Sequence, residues 1–305
     1  MAAATETASG RPESYARGIV LVAAAGLMWS LGGLFFRLIE DATVWQIVAY
    51  RTLFLSASMA VVVVWRYRAQ TLAAFRRMGG WGIVGALGIG GANTLFMFSL
   101  EHTYVANTLL MLGASPILSA GIAWLLLRER VRPATMAAMA AVAAGVCVMV
   151  AGGLGTDRWL GDLLAVFTVT SFAFVVVAVR AGREADMLPC VVLGAFLAGC
   201  FATLMAFLGG EGLAVTAPDL FWCAMMGIVQ MTGGMVLFVA GARHVPAAEL
   251  ALLSLTEVVA GPVWVWLAVG ELPVEATFWG GAIVLAAMVA NALTGMRRRH
   301  PLPQV

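Results

Sequence analysis

The chain of 305 residues contains no lysine, and only 11% of its residues are charged. Soluble globular proteins carry about 25% charged residues, because a charged and mixed surface keeps them in solution. Hydrophobic residues make up 62% of the chain, which is more apolar surface than a water-soluble domain of this size can hide. The composition therefore excludes a soluble fold. The net charge of +2 is too small to indicate a nucleic-acid partner.

Motifs for metals, cofactors and nucleotides are also missing. The four cysteines lie inside apolar stretches without CxxC or His-paired spacing, so they indicate small hydrophobic residues and not disulfides or metal ligands. The glycine cluster within residues 85–91 lacks the lysine and the preceding strand of a phosphate-binding loop. We expect no metal and no cofactor. An intramembrane enzyme is disfavoured because the apolar stretches hold no histidine and no paired aspartates.

What the sequence does have is long apolar runs. A transmembrane helix needs about 20 mostly apolar residues, and ten stretches approach or exceed that length. They run approximately over 17–39, 44–66, 81–99, 104–127, 134–152, 159–180, 187–208, 220–241, 247–268 and 276–295. The polar residues 1–16 are expected to form a disordered cytoplasmic tail, and residues 296–305 a second cytoplasmic tail. The sequence thus predicts an all-α membrane protein with ten transmembrane helices.

The arginines predict the orientation of these helices. Positively charged residues accumulate in cytoplasmic loops of membrane proteins, and 15 of the 18 arginines fall on one side if the N-terminus is cytoplasmic. Both termini are therefore predicted to be cytoplasmic. Nine of the ten tryptophans lie near predicted helix ends, as an aromatic belt requires, and only Trp29 lies at mid-depth.

The chain also contains an internal repeat. Shifting the sequence by 142 residues aligns 85–144 with 227–286 and gives 15 identities in 60 positions, His102/His244 and Glu129/Glu271 among them. Residues 17–152 and 159–295 are therefore two copies of a five-helix unit. Because five is odd, the second copy enters the membrane from the opposite side, which is the inverted repeat typical of alternating-access transporters.

Three segments carry a resemblance to a known family. Residues 26–37 read GLMWSLGGLFFR, residues 98–129 contain a mid-helix Pro and end in Glu129, and residues 240–271 repeat that pattern and end in Glu271. These segments resemble the EamA-domain branch of ten-helix permeases in the drug/metabolite transporter superfamily, over essentially the whole chain after residue 16. The ninth helix departs from the family pattern, since Glu257 is followed by Val258 where the family often has proline.

The resemblance implies a permease for small metabolites, often amino acids. With the arginine-only, alanine-rich composition, it indicates a multi-pass protein of a bacterial cytoplasmic (inner) membrane. The expected partners are a small-molecule substrate, the lipid bilayer and protons as a coupling ion, with no nucleic acid. Two alternatives stay open: a flippase for a lipid-linked substrate, and a membrane scaffold without transport activity.

Polar residues within the apolar stretches are the candidates for substrate binding or coupling. Glu257 lies near the centre of the ninth predicted helix, where an ionisable side chain costs about 2.5 kcal/mol or more and indicates a functional site. It could carry a proton, contact a substrate amino group, or form an interhelical hydrogen bond. Arg51 could bind a substrate carboxylate or extend toward the interface. The remaining candidates lie near mid-depth and could line a pore or join helices: Trp29, Ser30, Asn93, Ser115, Thr170, Ser171 and Gln230.

Three further charged residues are predicted to have structural roles. Glu129 and Glu271 end their helices at the negative end of the helix dipole, so each needs a partner such as an arginine or a loop amide. Arg37 lies at the predicted outer end of the first helix and is expected to anchor it at the membrane interface.

Overall fold

The computed structural model describes residues 10–127, 133–153, 158–181, 188–245 and 247–297. Within these ranges the chain is helical and contains no β-strand. The α-helices are α1 (Gly10–Arg37), α2 (Val44–Tyr67), α3 (Thr71–Arg77), α4 (Gly79–His102), α5 (Val105–Gly113), α6 (Ser115–Leu127), α7 (Pro133–Gly153), α8 (Trp159–Ala181), α9 (Leu188–Leu208), α10 (Ala217–Ala224), α11 (Gly234–Ala242), α12 (Ala247–Val269) and α13 (Glu275–Arg297). A 3₁₀ turn, Arg68–Gln70, precedes α3, and a π-helical segment, Met225–Gly233, joins α10 to α11.

Helix starts follow local capping chemistry. Thr43 caps α2, because its hydroxyl accepts the backbone N–H of Gln46 while the Gln46 side chain accepts the N–H of Thr43, forming a capping box. Thr216 caps α10 through the N–H of Asp219. α1 already begins at Gly10, inside the segment that we expected to be a tail, and its Pro12 falls in the first turn, where proline is tolerated.

One predicted span is broken. α5 and α6 meet at a bend of 45° between Gly113 and Ser115. Pro116 follows directly, and the residue before a proline is disfavoured in the α conformation, so the break lies where the sequence places its first intramembrane proline. Pro262 lies inside α12 and does not interrupt it.

Helices occupy all ten predicted apolar stretches. Among the described residues, eight helices are long and apolar enough to cross a membrane, and the bent pair α5 and α6 makes up to nine. α12 runs over Ala247–Val269, and Leu255–Val269 of it is an apolar helix. The chain is therefore a multi-pass helical membrane protein, and its tenth crossing stays a prediction.

Helix packing relates the two halves of the chain. α1 packs against α11, the π-helical segment and α12, while α8 packs against α4, α5 and α6. These two sets of neighbours correspond if the two predicted copies, residues 17–152 and 159–295, are exchanged. The equivalent helices α2 and α9 contact each other, and so do α7 and α13.

Glycines allow the closest of these helix contacts. A Cβ atom added at Gly88 of α4 would lie 3.0 Å from the Ser171 carbonyl oxygen of α8, and one at Gly145 of α7 would lie 2.7 Å from the Gly280 carbonyl oxygen of α13. Such close backbone approach is how helices associate in lipid, where no hydrophobic effect drives them together. Large apolar side chains such as Leu87, Phe167 and Phe201 stay exposed on the outside, where acyl chains would cover them.

Candidate functional site

The contact region between α1, the π-helical segment and α12 brings together three of the predicted polar residues. Gln230 Nε2 donates to the Trp29 carbonyl oxygen at 3.0 Å. The next residue, Ser30, is fully buried; its hydroxyl donates to the Leu27 carbonyl oxygen at 2.7 Å and accepts the indole N–H of Trp264 at 3.0 Å. Trp29, Ser30 and Gln230 therefore lie together at this helix contact, where Gln230 bonds to the Trp29 backbone and Trp264 bonds to Ser30.

Small residues make this arrangement possible. A Cβ atom at Gly32 would lie 2.7 Å from Gln230 Nε2, and Gly234 lies against the Trp29 indole ring. The other edge of the Trp29 ring packs on Phe238, with ring centroids 5.3 Å apart. The side chain of Gln230 projects from a π-helix, a rare geometry that is frequent at functional sites.

Arg51 is a buried cation on α2, the helix that packs against the π-helical segment. Its side chain is 2% exposed, and neither Nε nor NH1 has a hydrogen-bond partner among the described residues. The guanidinium carbon lies 5.9 Å from the centroid of the Phe96 ring. Its own backbone lies against the π-helical segment, because a Cβ atom at Gly227 would meet the Arg51 carbonyl oxygen. A buried charge without a partner is costly, so this guanidinium is available for an anion.

Two buried acceptors lie on the helices that surround Arg51. Asn93, one turn before Phe96 on α4, donates Nδ2 to the Ile89 carbonyl oxygen at 2.9 Å, while its Oδ1 receives no hydrogen bond from the described part of the chain. Gln230 Oε1 is likewise without a described donor. The region thus offers unpaired donors on Arg51 and unpaired acceptors on Asn93 and Gln230.

Glu257 lies on α12 and is half-buried. No hydrogen bond or ion pair joins its carboxyl group to another described residue. Its backbone N lies 3.6 Å from the position of a Cβ atom added at Gly26, one turn before Ser30 on α1. A shallow, open depression of about 410 Å³ lies along α12, and Glu257 is not among the residues that line it, namely Leu255, Thr256, Val259, Ala260, Val263 and Trp264.

Three predicted residues lie elsewhere. Ser115 is at the break between α5 and α6, where its carbonyl oxygen accepts the Ser119 hydroxyl. The Thr170 hydroxyl donates to the Val166 carbonyl oxygen of its own helix, and Ser171 faces Gly91 between α8 and α4. No described contact joins these residues to Arg51 or Glu257, although Ser115 occupies the position that matches Glu257 in the repeat.

The predicted structural role of Glu271 has a clear basis. Its Oε2 accepts Arg37 Nε at 2.7 Å, and its Oε1 accepts the backbone N–H of Val105 at 2.7 Å. Arg37 also donates to the carbonyl oxygens of Leu100 and Thr103. Glu271 thus has both an arginine and a helix-starting amide as partners, whereas Glu129 lies outside the described residues.

Two polar residues that the sequence pattern did not single out form hydrogen bonds in the structure. Trp264 lies near a predicted helix end and counted as part of the aromatic belt, yet its indole N–H bonds to Ser30. Asp162 is fully buried near the start of α8 and bonds to Thr103 and Asn107. The only indication in the sequence was that Asp162 is a single acidic residue three positions inside the apolar stretch 159–180. No group of three or more metal-binding side chains occurs in the described ranges.

These features define a class: a multi-pass helical membrane protein with unpaired polar groups buried between two equivalent halves. The EamA-like transporter family matches residues 16–151 and again 159–293. The chain therefore belongs to the EamA-like transporter family. Members of this family are membrane transporters and not enzymes, so the protein has a small-molecule substrate and membrane lipid as partners.

One curated protein and one solved structure are similar to this chain. A protein of Pseudomonas aeruginosa described as an uncharacterized transporter is 25% identical over 300 residues, covering 94% of this chain and 97% of that protein. A solved crystal structure, described only as that of a protein, has a TM-score of 0.64 at 18% identity and covers 93% of this chain and 99% of its own. The second likeness concerns the fold alone.

Proposed function

We propose that this protein is a secondary transporter that exports small polar metabolites, such as amino acids, from the cytoplasm by alternating access. Its residence is a bacterial inner membrane, with ten transmembrane helices and both termini in the cytoplasm. The observation that carries the proposal is the buried, unpaired guanidinium of Arg51 inside a protein of a transporter family. The helix contacts of α1 in the first half correspond to those of α8 in the second half. This correspondence supports alternating access, because two equivalent halves can adopt two equivalent arrangements.

In the proposed site, different residues bind the carboxylate and the amino group of the substrate. Arg51 would receive a carboxylate, because a guanidinium can donate two parallel N–H groups to the two carboxylate oxygens. The free carbonyl oxygens of Asn93 and Gln230 would accept N–H groups. Glu257 would contact a cationic amino group or carry a proton, and the Trp29 ring would form an apolar wall. A carboxylate and an amine on one small molecule satisfy all of these groups.

Replacing Arg51 by methionine tests the proposal. Methionine removes the charge and keeps an unbranched side chain, so no described hydrogen bond of the Nε or NH1 atoms is lost. Replacing a buried charge by an apolar side chain is often neutral or stabilising. We expect Arg51→Met to retain or raise the unfolding temperature while abolishing transport of carboxylate-bearing substrates.

The assay measures efflux of labelled amino acids and amines from proteoliposomes containing the purified full chain. Arg76→Met, which changes an exposed arginine, is the matched control and should transport like the parent. Normal amino-acid transport by Arg51→Met would contradict the proposed site. Movement of a labelled lipid instead of any polar solute would favour a flippase, and no movement of either would favour a scaffold.

A further inference from the structure

Asp162 carries a buried carboxyl group that the substrate site does not use. The residue is fully buried. Its Oδ1 accepts the Thr103 hydroxyl at 2.6 Å and Asn107 Nδ2 at 2.7 Å. Its Oδ2 is also buried and receives no hydrogen bond from any residue that the structure describes. Oδ1 of this carboxyl thus accepts two hydrogen bonds, and Oδ2 accepts none from the described residues.

A second buried aspartate shows how the fold stabilises a permanent negative charge. Asp219 is 2% exposed, and both of its oxygens accept backbone N–H groups, from Glu40 at 3.2 Å, Asp41 at 3.2 Å and Ala42 at 2.9 Å. Hydrogen bonds of this kind compensate a buried carboxylate for the water it has lost. Asp162 lacks that compensation at Oδ2, so its negative charge is the less favourable of the two.

The polar groups around Asp162 favour a proton over a metal ion as its ligand. Thr103 Oγ1 already accepts Asn107 Nδ2 at 3.2 Å, and Asn107 Oδ1 accepts the Thr277 hydroxyl. Only Oδ2 is left to bind anything. Metal ions such as Ca²⁺ need about six oxygen ligands, whereas a proton needs one lone pair.

Arg158, one turn before Asp162, attracts its carboxylate electrostatically. The charged and titratable groups on neighbouring elements also have other partners. Arg158 donates to the Tyr104 hydroxyl and lies over its ring, with the guanidinium carbon 3.9 Å from the centroid. On α4, His102 Nδ1 and Glu101 form a pair at 3.3 Å. On α13, Glu275 is exposed and accepts the indole N–H of Trp279. The described parts of α5, α6 and α7 carry no arginine, aspartate or glutamate.

The position of Asp162 connects its protonation to helix packing. Thr103 donates its hydroxyl to Asp162, while its carbonyl oxygen accepts Arg37 NH2 at 2.9 Å, and Arg37 is the partner of Glu271. Hydrogen bonds to a charged acceptor are about twice as strong as those to a neutral one. Adding a proton to Oδ2 therefore weakens the attachment of α4 and α5 to α8.

We propose that Asp162 is a proton-binding site that links proton uptake and release to the attachment of α4 and α5 to α8. The step is a simple exchange: Oδ2 gains one proton from water when the carboxylate becomes a carboxylic acid, and it returns that proton on ionisation. The inference rests on the proposed function in that the proton would be the coupling ion. For the first helix of each half the matching shift is 143 residues, which aligns Gly18 with Gly161 and Ile19 with Asp162, so the first repeat offers no equivalent site.

Infrared difference spectroscopy after a pH jump tests the site without any substrate. The purified full chain in lipid should show a C=O band of a protonated carboxylic acid that titrates with pH. We expect Asp162→Asn to remove the Asp162 component of the band and to leave any Glu257 component. Glu257→Gln should leave the Asp162 component, and Asp219→Asn should leave the whole band unchanged. An unchanged band in Asp162→Asn would overturn the proposal.

A second variant covers the case in which Asp162→Asn does not fold. Thr103→Val keeps the size of the side chain and removes one donor to the ionised carboxyl, so the midpoint of the band should shift along the pH axis. An unshifted midpoint would likewise overturn the proposal. Transport in proteoliposomes separates the proton-site proposal from the proposed function. If the protein shows the band but transports nothing, only the proposed function is contradicted. If it transports substrate but lacks the band, only the proton site is contradicted.

Discussion

The side chain of Gln230 donates from Nε2 to the backbone carbonyl oxygen of Trp29 at 3.0 Å, and this bond joins the second half of the chain to the first. Gln230 projects from the π-helical segment and Trp29 from α1. Both helices have counterparts that contact each other, α4 and α8. The bond therefore lies at one of two equivalent helix contacts, and its loss should affect substrate binding more than folding.

Replacing Gln230 by methionine should raise the substrate KM several-fold at nearly unchanged stability. Methionine keeps the length of the side chain and removes one hydrogen bond, which contributes about 0.5–1.5 kcal/mol, together with a buried carbonyl oxygen that has no described partner. The two effects on the free energy of unfolding oppose each other. Efflux kinetics and thermal unfolding measure them separately, and Gln70→Met at an exposed position is the control. An unchanged KM would remove Gln230 from the site.

Replacing Glu257 by glutamine should leave the protein folded and inserted while abolishing pH-dependent transport. Glutamine preserves the shape of the side chain and loses only its ionisation, and no described hydrogen bond or ion pair of the carboxyl is lost. Transport rates measured across a pH series, with the exposed Glu275→Gln as control, test this expectation. If the variant keeps both its full rate and its pH profile, Glu257 has no part in coupling, and the proposed site is reduced to Arg51 and its polar neighbours.

Much of the fold was predictable because apolar length alone marks membrane helices. The stretch 44–66 became α2 at Val44–Tyr67, and the stretch 187–208 became α9 at Leu188–Leu208. The π-helical segment Met225–Gly233 was not predictable, since nine residues with shifted hydrogen bonds leave no distinctive spacing of apolar residues. The break before Ser115 was indicated only by the proline that follows it.

The site was partly predictable for a similar reason. Arg51 and Glu257 were recognisable because a charged residue is conspicuous in an apolar stretch. Asp162 was not, because an acidic residue in a first helical turn is common for reasons of helix dipole alone. In the sequence Ser171 and Ser30 look alike, because each is a serine within an apolar stretch. Only the structure distinguishes them, since Ser171 faces Gly91 and Ser30 bonds to Trp264.

Replacing Glu271 by glutamine should destabilise the protein by about 1–3 kcal/mol, because two hydrogen bonds to a charged acceptor are weakened. The side chains of Arg37 and Glu271 are 23% and 16% exposed, so solvent screening places the effect in the lower part of that range. Thermal unfolding in detergent measures the loss, and Glu275→Gln serves again as the exposed control. Equal unfolding temperatures for Glu271→Gln and the parent would show that the pair contributes nothing measurable.

Reporter fusions should place both termini in the cytoplasm. The reason is electrostatic: with that orientation 15 of 18 arginines lie on the cytoplasmic side, where positively charged loops accumulate. Fusions after Arg77 and after Arg298 should therefore be active with a reporter that works only in the cytoplasm. A fusion after Gly210, in the connection between α9 and α10, should be active only with a reporter that works outside.

The fusion after Arg298 is the most informative, because it counts crossings. Ten crossings return the chain to the side on which it began, whereas nine would leave the C-terminus outside. An external signal there, together with a cytoplasmic signal after Arg77, would mean that α12 or the bent pair α5 and α6 does not cross. The two halves would then differ in their number of crossings, and the inverted repeat from which alternating access was inferred would be lost.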